Sequence, residues 1–191
     1  EEKQKSHERI LDAASKLTRE KGIDATSVSD IMNLAGLTHG GFYRHFASKD
    51  ELVASSFRHA VDEAVSAIEQ VSSGEQRRAA EEAYINTYLS PEHLQTLADG
   101  CPIAALGSEL IRKDGRTKTE AAQAVKRVSS LLGDQAGSVS GEVILAMLVG
   151  AITLARLSET SEEANSLLTS ARSAIDVLQK AGKPSLLNNS E

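Results

Sequence analysis

Tryptophan is absent from this chain, and phenylalanine and tyrosine contribute only three residues each. Any core must therefore be built from Leu, Ile, Val and Ala. Proline occurs only at positions 91, 102 and 184, so breakers of regular structure are rare. A single cysteine, Cys101, excludes an intramolecular disulfide and fits a reducing cytosol. No stretch alternates apolar and polar residues over a strand length. The most apolar run, Val143 to Ala155, has 13 residues, too short for the ~20 needed to cross a bilayer, and no membrane is expected as a partner. The charged start EEKQKSHERI does not read as a signal peptide, and a cytoplasmic location is expected. No metal-ligand spacing, phosphate-binding glycine loop or triad pattern stands out. The chain is read as a non-enzyme needing no cofactor.

What is present points to helices. Ala and Leu are strong helix formers, and 191 residues can bury a substantial core, in one large domain or two small ones. The expected class is all-α, with about nine or ten helices. The formal charge of −6 argues against a nucleic-acid binder, but its distribution does not. Residues 1–60 hold nine bases and nine acids, whereas residues 61–191 hold twelve bases and eighteen acids. The first segment also carries four of the five histidines. The acidic excess thus sits in the later part of the chain, where it favours solubility.

Along the chain, Ile10, Ala13, Ala14 and Leu17 share one face of a first helix, about 5–21, which Gly22 is placed to end. Thr26 or Ser27 caps a second helix, supported by Asp30. Ala35-Gly36-Leu37 reads as a tight turn, with Gly36 free to adopt a positive φ. Thr38 is placed to cap a short third helix over 39–45 that buries Phe42 and Phe46. Ser48 caps a long helix reaching about residue 71. Later helices are expected over about 75–89, 91–98, 102–111, 117–132, 143–157 and 161–181. Breaks fall at 72–74 and 133–137, and the tail from Gly182 is expected to fray.

The stretch from Thr26 to Lys49 carries the chemistry. A short helix led by His39-Gly40-Gly41 has few bulky residues at its leading edge, as entry into a major groove requires. His39 and Arg44 can present donors to base edges. Ser27, Thr38, Tyr43, His45 and Lys49 carry groups that hold phosphates. Two adjacent glycines each cost about 1 kcal/mol in a helix, so they need a reason. Close approach of DNA is one, and Phe packing around a small residue is the other.

Read in order, T-S-V-x-x-I-x-x-x-A-G-L-T-x-G-x-F-Y-R-H-F-x-S-K-D-E-L from Thr26 to Leu52 closely resembles the N-terminal domain of TetR-family transcriptional repressors. The likeness covers roughly 50 residues, with the preceding R-I-L-D-A-A and K-G-I-D-A-T-S elements. Two positions depart from it: Met32 stands where Ala is common, and Gly41 where Thr or Ala is common, removing one base contact. The resemblance implies a helix-turn-helix DNA-binding domain over 1–48 and a ligand-binding and dimerisation domain over 49–191. It places Tyr43, His45 and Lys49 on phosphates and Thr38, His39, Gly40 and Arg44 at the groove.

The resemblance further implies a homodimer on a palindromic operator of double-stranded DNA, assembled through the last two long helices. A small-molecule inducer of unknown identity would release it. The alternative is a helical protein-interaction module that has lost DNA binding. Within the larger part, Tyr84 and Tyr88 read as core before pocket, and Arg112 and Arg116 as a solvated face. Cys101, in the Gly-Cys-Pro segment at a helix start, is a candidate sensor. There the helix dipole is expected to lower its thiol pKa, with simple packing as the competing reading.

Overall fold

The computed structural model describes residues 1–71, 74–133 and 139–181, all of them helical or in turns and loops. The helices are α1 (Glu2–Lys21), α2 (Val28–Leu34), a 3₁₀ segment (His39–Arg44), α3 (Lys49–Glu69) and α4 (Gly74–Tyr88). They are followed by α5 (Pro91–Gln95), α6 (Pro102–Leu110), α7 (Gly115–Leu131), α8 (Gly141–Ala155) and α9 (Ser161–Ala181). The expected break at Ser72-Ser73, most of the 133–137 loop and the tail from Gly182 lie outside the described residues.

Two apolar clusters organise these helices. The first joins Ile10, Ala13, Ala14 and Leu17 of α1 to Ile31 and Met32 of α2, with Ala35, Phe42, Phe46 and Leu52. The second fills the rest of the chain, from Ile23 and Val53 through the inner faces of α3, α4, α6, α7, α8 and α9. The long α3 belongs to both. Its first turn gives Leu52 to the small cluster, and Val53, Phe57, Val61 and Val65 face the large one. At 1.5 Å per residue this helix is about 30 Å long, a continuous rod between the two cores. It packs most extensively against α7 and α1, while α8 and α9 pack on each other.

Local chemistry explains the boundaries. Gly22, at φ 90°, ends α1 and donates its N–H to the Thr18 carbonyl. Ser27 caps α2 in a reciprocal box with Asp30, whereas Thr26 is buried and donates to the Leu17 and Gly22 carbonyls. Gly36 turns the chain at φ 67°, and Arg9 donates to the adjacent Ala35 carbonyl, tying the turn to α1. Ser48 accepts from Glu51 N–H to start α3. Arg77 closes two helices at once, donating to Ile68 O of α3 (2.8 Å) and Leu131 O of α7 (3.0 Å).

Three expectations are corrected. The third helix is 3₁₀ rather than α-helical: six residues with two glycines near the start gain too little from i→i+4 bonding to close regular turns. Thr38 precedes that segment without a side-chain capping bond. The helix after Pro91 ends at Gln95, short of Ala98.

Candidate nucleic-acid interface

The 3₁₀ segment is anchored from behind and free in front. Phe42 and Phe46 are 2% and 3% exposed, their rings 6.0 Å apart over the α1–α2 core. Anchoring these two rings turns Tyr43 and Arg44, between them, outward. Tyr43 is 73% exposed, and Thr38, His39, Gly40 and Arg44 are exposed as well. Arg44 and Lys49 form no ion pair among the described residues. Lys49, half-buried, is the first residue of α3, beside free backbone N–H groups. The nine candidate residues Ser27, Thr38, His39, Gly40, Gly41, Tyr43, Arg44, His45 and Lys49 thus lie on the α2–turn–3₁₀–α3 unit.

Gly40 distinguishes the two explanations for the glycine pair. Its φ is not positive, and a Cβ built there meets nothing within 4 Å. At Gly41 a Cβ would make ordinary contacts, 3.7 Å from Met32 Cε and 3.8 Å from Thr38 Oγ1. Neither Phe packing nor backbone strain demands glycine here, so Phe packing around a small residue does not account for Gly40.

Two of the phosphate candidates are more constrained than the sequence suggested. The Ser27 hydroxyl already donates to Asp30 Oδ2 at 2.6 Å and accepts from Asp30 N–H, so its single proton is engaged. His45 has a buried Nδ1 with no hydrogen-bond partner. Burial, followed by the nearby His7, Lys3 and Arg44 charges, lowers its pKa. His7 stacks on Phe46 with ring centroids 4.7 Å apart and lies 5.8 Å from the His45 ring.

The N-terminus of α1 was missed as part of this surface. An open cleft of about 700 Å³ is lined by Glu2, Lys3, Ser6, Arg44 and His45. Lys3 therefore adds a cation beside Arg44. The spacing 3, 6, 10 on the first helix carried this signal, because those residues share a side with the buried Ile10.

Cys101 is also corrected. It precedes α6 as expected, but it is 9% exposed and packed in the large cluster, so desolvation pushes the thiol pKa up and outweighs the helix terminus. Its N–H donates to His93 Nε2 at 2.9 Å, and His93 Nδ1 lies 2.6 Å from the Tyr88 carbonyl. A carbonyl only accepts, so the proton is on Nδ1 and the imidazole is neutral. Burial lowers its pKa consistently with this. Arg19, reaching from α1, donates to the Gly100 carbonyl at 2.7 Å. The thiol belongs to a packed knot of Tyr84, Tyr88 and His93 rather than to an open reactive site. Native protein is expected to react slowly with a soluble disulfide reagent, and completely only after unfolding in denaturant. Rapid stoichiometric reaction without denaturant contradicts this burial.

Residues 10–55 match the family described as bacterial regulatory proteins, tetR family. No helix among the described residues is long and apolar enough to cross a membrane. The chain is 38% identical over 79 residues to the HTH-type transcriptional repressor KstR2 of Rhodococcus jostii (strain RHA1), covering 41% of this chain and 39% of that protein. It is 42% identical over 53 residues to the HTH-type transcriptional regulator TtgR of Pseudomonas putida (strain DOT-T1E), covering 28% and 25%. The chain thus spans well under half the length of the curated relatives it matches. Over the whole fold it resembles the reduced form of E. coli NemR, with TM-score 0.71 at 18% identity over 90% of this chain and 95% of that one. A TetR transcriptional regulator from Chloroflexus aurantiacus J-10-FL gives TM-score 0.67 at 22% identity over 91% and 93%. The expected all-α, TetR-like architecture is borne out.

Proposed function

We propose that the chain is a signal-responsive transcriptional regulator, most plainly a repressor, that binds a palindromic operator as a homodimer. The carrying observation is the outward face from Thr38 to Lys49. It holds Arg44 and Lys49, which form no ion pair among the described residues, exposed Tyr43 and a glycine at which a Cβ would meet nothing within 4 Å. His39 and Arg44 are assigned to base edges, with Thr38 and Gly40 at the groove. Tyr43, Lys49 and His45 are assigned to phosphates. Division into a reading domain, 1–48, and a ligand-binding and dimerisation domain, 49–191, accords with the two apolar clusters.

The dimer reading rests on α8 and α9. Ile144, Leu148, Ile152, Leu168 and Ile175 are buried, yet Val143, Leu154 and Leu157 of the α8 region and Val177 and Leu178 of α9 remain open to solvent. Gly150 has nothing within 4 Å of a built Cβ, leaving room for another helix. A two-fold axis through this surface supplies the paired reading segments that half-sites about 34 Å apart require.

A signal in the larger domain has a physical route to the reading face. Glu109 of α6 accepts from Ile23 N–H (2.9 Å). Thr117 of α7, fully buried, donates to Asp50 Oδ1 (2.7 Å), and Arg116 pairs with Glu51 (3.1 Å). The α6–α7 corner thereby holds both the end of α1 and the start of α3, where Lys49 stands. A small molecule acts here by binding one setting of this corner better than another.

Fluorescence anisotropy with a palindromic fragment from the flanking intergenic DNA tests the proposal. Binding is expected to be sequence-selective and steeply salt-dependent. Lys49→Ala should weaken all sequences alike and lower the salt slope by about one. Arg44→Ala or His39→Ala should change which sequence is preferred, and Gly40→Ala should impair binding without loss of stability. Equal affinity for random DNA in every variant favours the protein-interaction module instead.

A further inference from the structure

Asp12, His59 and Glu63 bring one imidazole and two carboxylates together where α1 packs on α3. His59 and Glu63 lie one turn apart on α3, so helix periodicity sets them on one side. Asp12 arrives from α1, 47 positions earlier than His59, and only the packing of the two helices supplies it. This separation hid the set from any reading of local ligand spacing.

The geometry suits a shared ion. His59 Nε2 lies 2.7 Å from Asp12 Oδ1 and 3.7 Å from Glu63 Oε1, and one donor atom from each residue falls within 4.8 Å of the others. Donor atoms around a tetrahedral zinc with ~2.0 Å bonds are roughly 3.3 Å apart, so the observed separations need only small rotamer adjustments. The His59 side chain is partly sheltered and both carboxylates reach water, which gives an ion a path in.

The charge balance points the same way. No lysine or arginine forms an ion pair with Asp12 or Glu63 among the described residues. Lys16, one turn along α1, pairs with Asp99 instead. Two carboxylates therefore converge on a single ring nitrogen. A proton on that ring offsets one negative charge, whereas a divalent cation offsets both.

We propose that Asp12, His59 and Glu63 form a site for a divalent transition-metal ion of the zinc class, bracing α1 against α3. An imidazole nitrogen selects such ions over magnesium or calcium, and water completes the coordination. Because α1 lines the reading core and α3 runs into the larger cluster, a bound ion stiffens the joint between them. The site stands or falls independently of DNA binding.

The test is a zinc titration of the metal-free full chain against a chromophoric chelator, paired with thermal melts with and without zinc. Wild type is expected to take one equivalent per chain and to melt at a higher temperature with zinc. His59→Ala and Asp12→Asn should each weaken zinc binding by about tenfold or more and remove the rise in melting temperature. Asp12→Asn keeps the size and hydrogen bonding of an exposed side chain, so it reports on the site even if His59→Ala perturbs folding. His7→Ala, at the separate His7–His45 pair, should bind as wild type does. Failure of wild type to compete with the chelator overturns the proposal, as does unchanged affinity in both Asp12→Asn and His59→Ala.

Discussion

Replacing Phe42 by alanine is expected to destabilise the reading domain by about 3–5 kcal/mol and to abolish operator binding. Phe42 is the largest fully buried side chain of the small cluster, which contains only ten buried residues, several of them alanine. Its ring packs 6.0 Å from Phe46 and edge-on to Tyr43 at 5.1 Å. With so few large side chains, the neighbours cannot collapse into the vacated volume. The short 3₁₀ segment has little backbone bonding of its own to hold it, so the loss should appear as local unfolding ahead of the larger cluster. Denaturant melts followed by circular dichroism, with anisotropy on the same samples, provide the measurement. Phe42→Leu should recover much of the stability. A loss below about 1 kcal/mol for Phe42→Ala means that the two phenylalanines do not anchor the segment.

Gly141→Ala is expected to be comparably damaging, for a different reason. A Cβ at Gly141 would sit 1.9 Å from the Ser129 carbonyl oxygen and 2.4 Å from that of Leu132. Both atoms are backbone at the end of α7, and neither can rotate away. The start of α8 must instead move off α7, opening the core around Ile144 and Leu145 at about 3 kcal/mol or more. Because α8 supplies much of the surface assigned to the dimer, sedimentation should show a shift towards monomer alongside the lowered melting temperature. Gly150→Ala is the control on the same helix: with nothing near its Cβ, it should leave monomer stability unchanged or slightly raised. Similar melting for Gly141→Ala and wild type refutes this account of the α7–α8 contact.

Much of the architecture was legible because its signals are local. Apolar spacing marked α1 and α3, Ser27 and Ser48 marked helix starts, and Gly22 and Gly36 marked places where φ turns positive. The reading face was legible for the same reason, since Phe42 and Phe46 at i, i+4 settle which residues between them are left outside. The surface proposed for the dimer was only half legible. On α9, Val177 and Leu178 lie at 65% and 37% exposure, which periodicity alone does not distinguish from burial.

By itself, the sequence determined the all-helical class, the helix order and the identity of the outward residues from Thr38 to Lys49, because caps, turns and apolar periods act within a few residues. Tertiary structure alone decided which solvent and which partners each group meets. Burial raised the Cys101 thiol where position at a helix start predicted the reverse, since desolvation in a packed core outweighs one helix end. Packing of α1 on α3 joined Asp12 to His59 and Glu63, and the α6–α7 corner reached back to Ile23, Asp50 and Glu51. These contacts join residues tens of positions apart, and no local propensity encodes them.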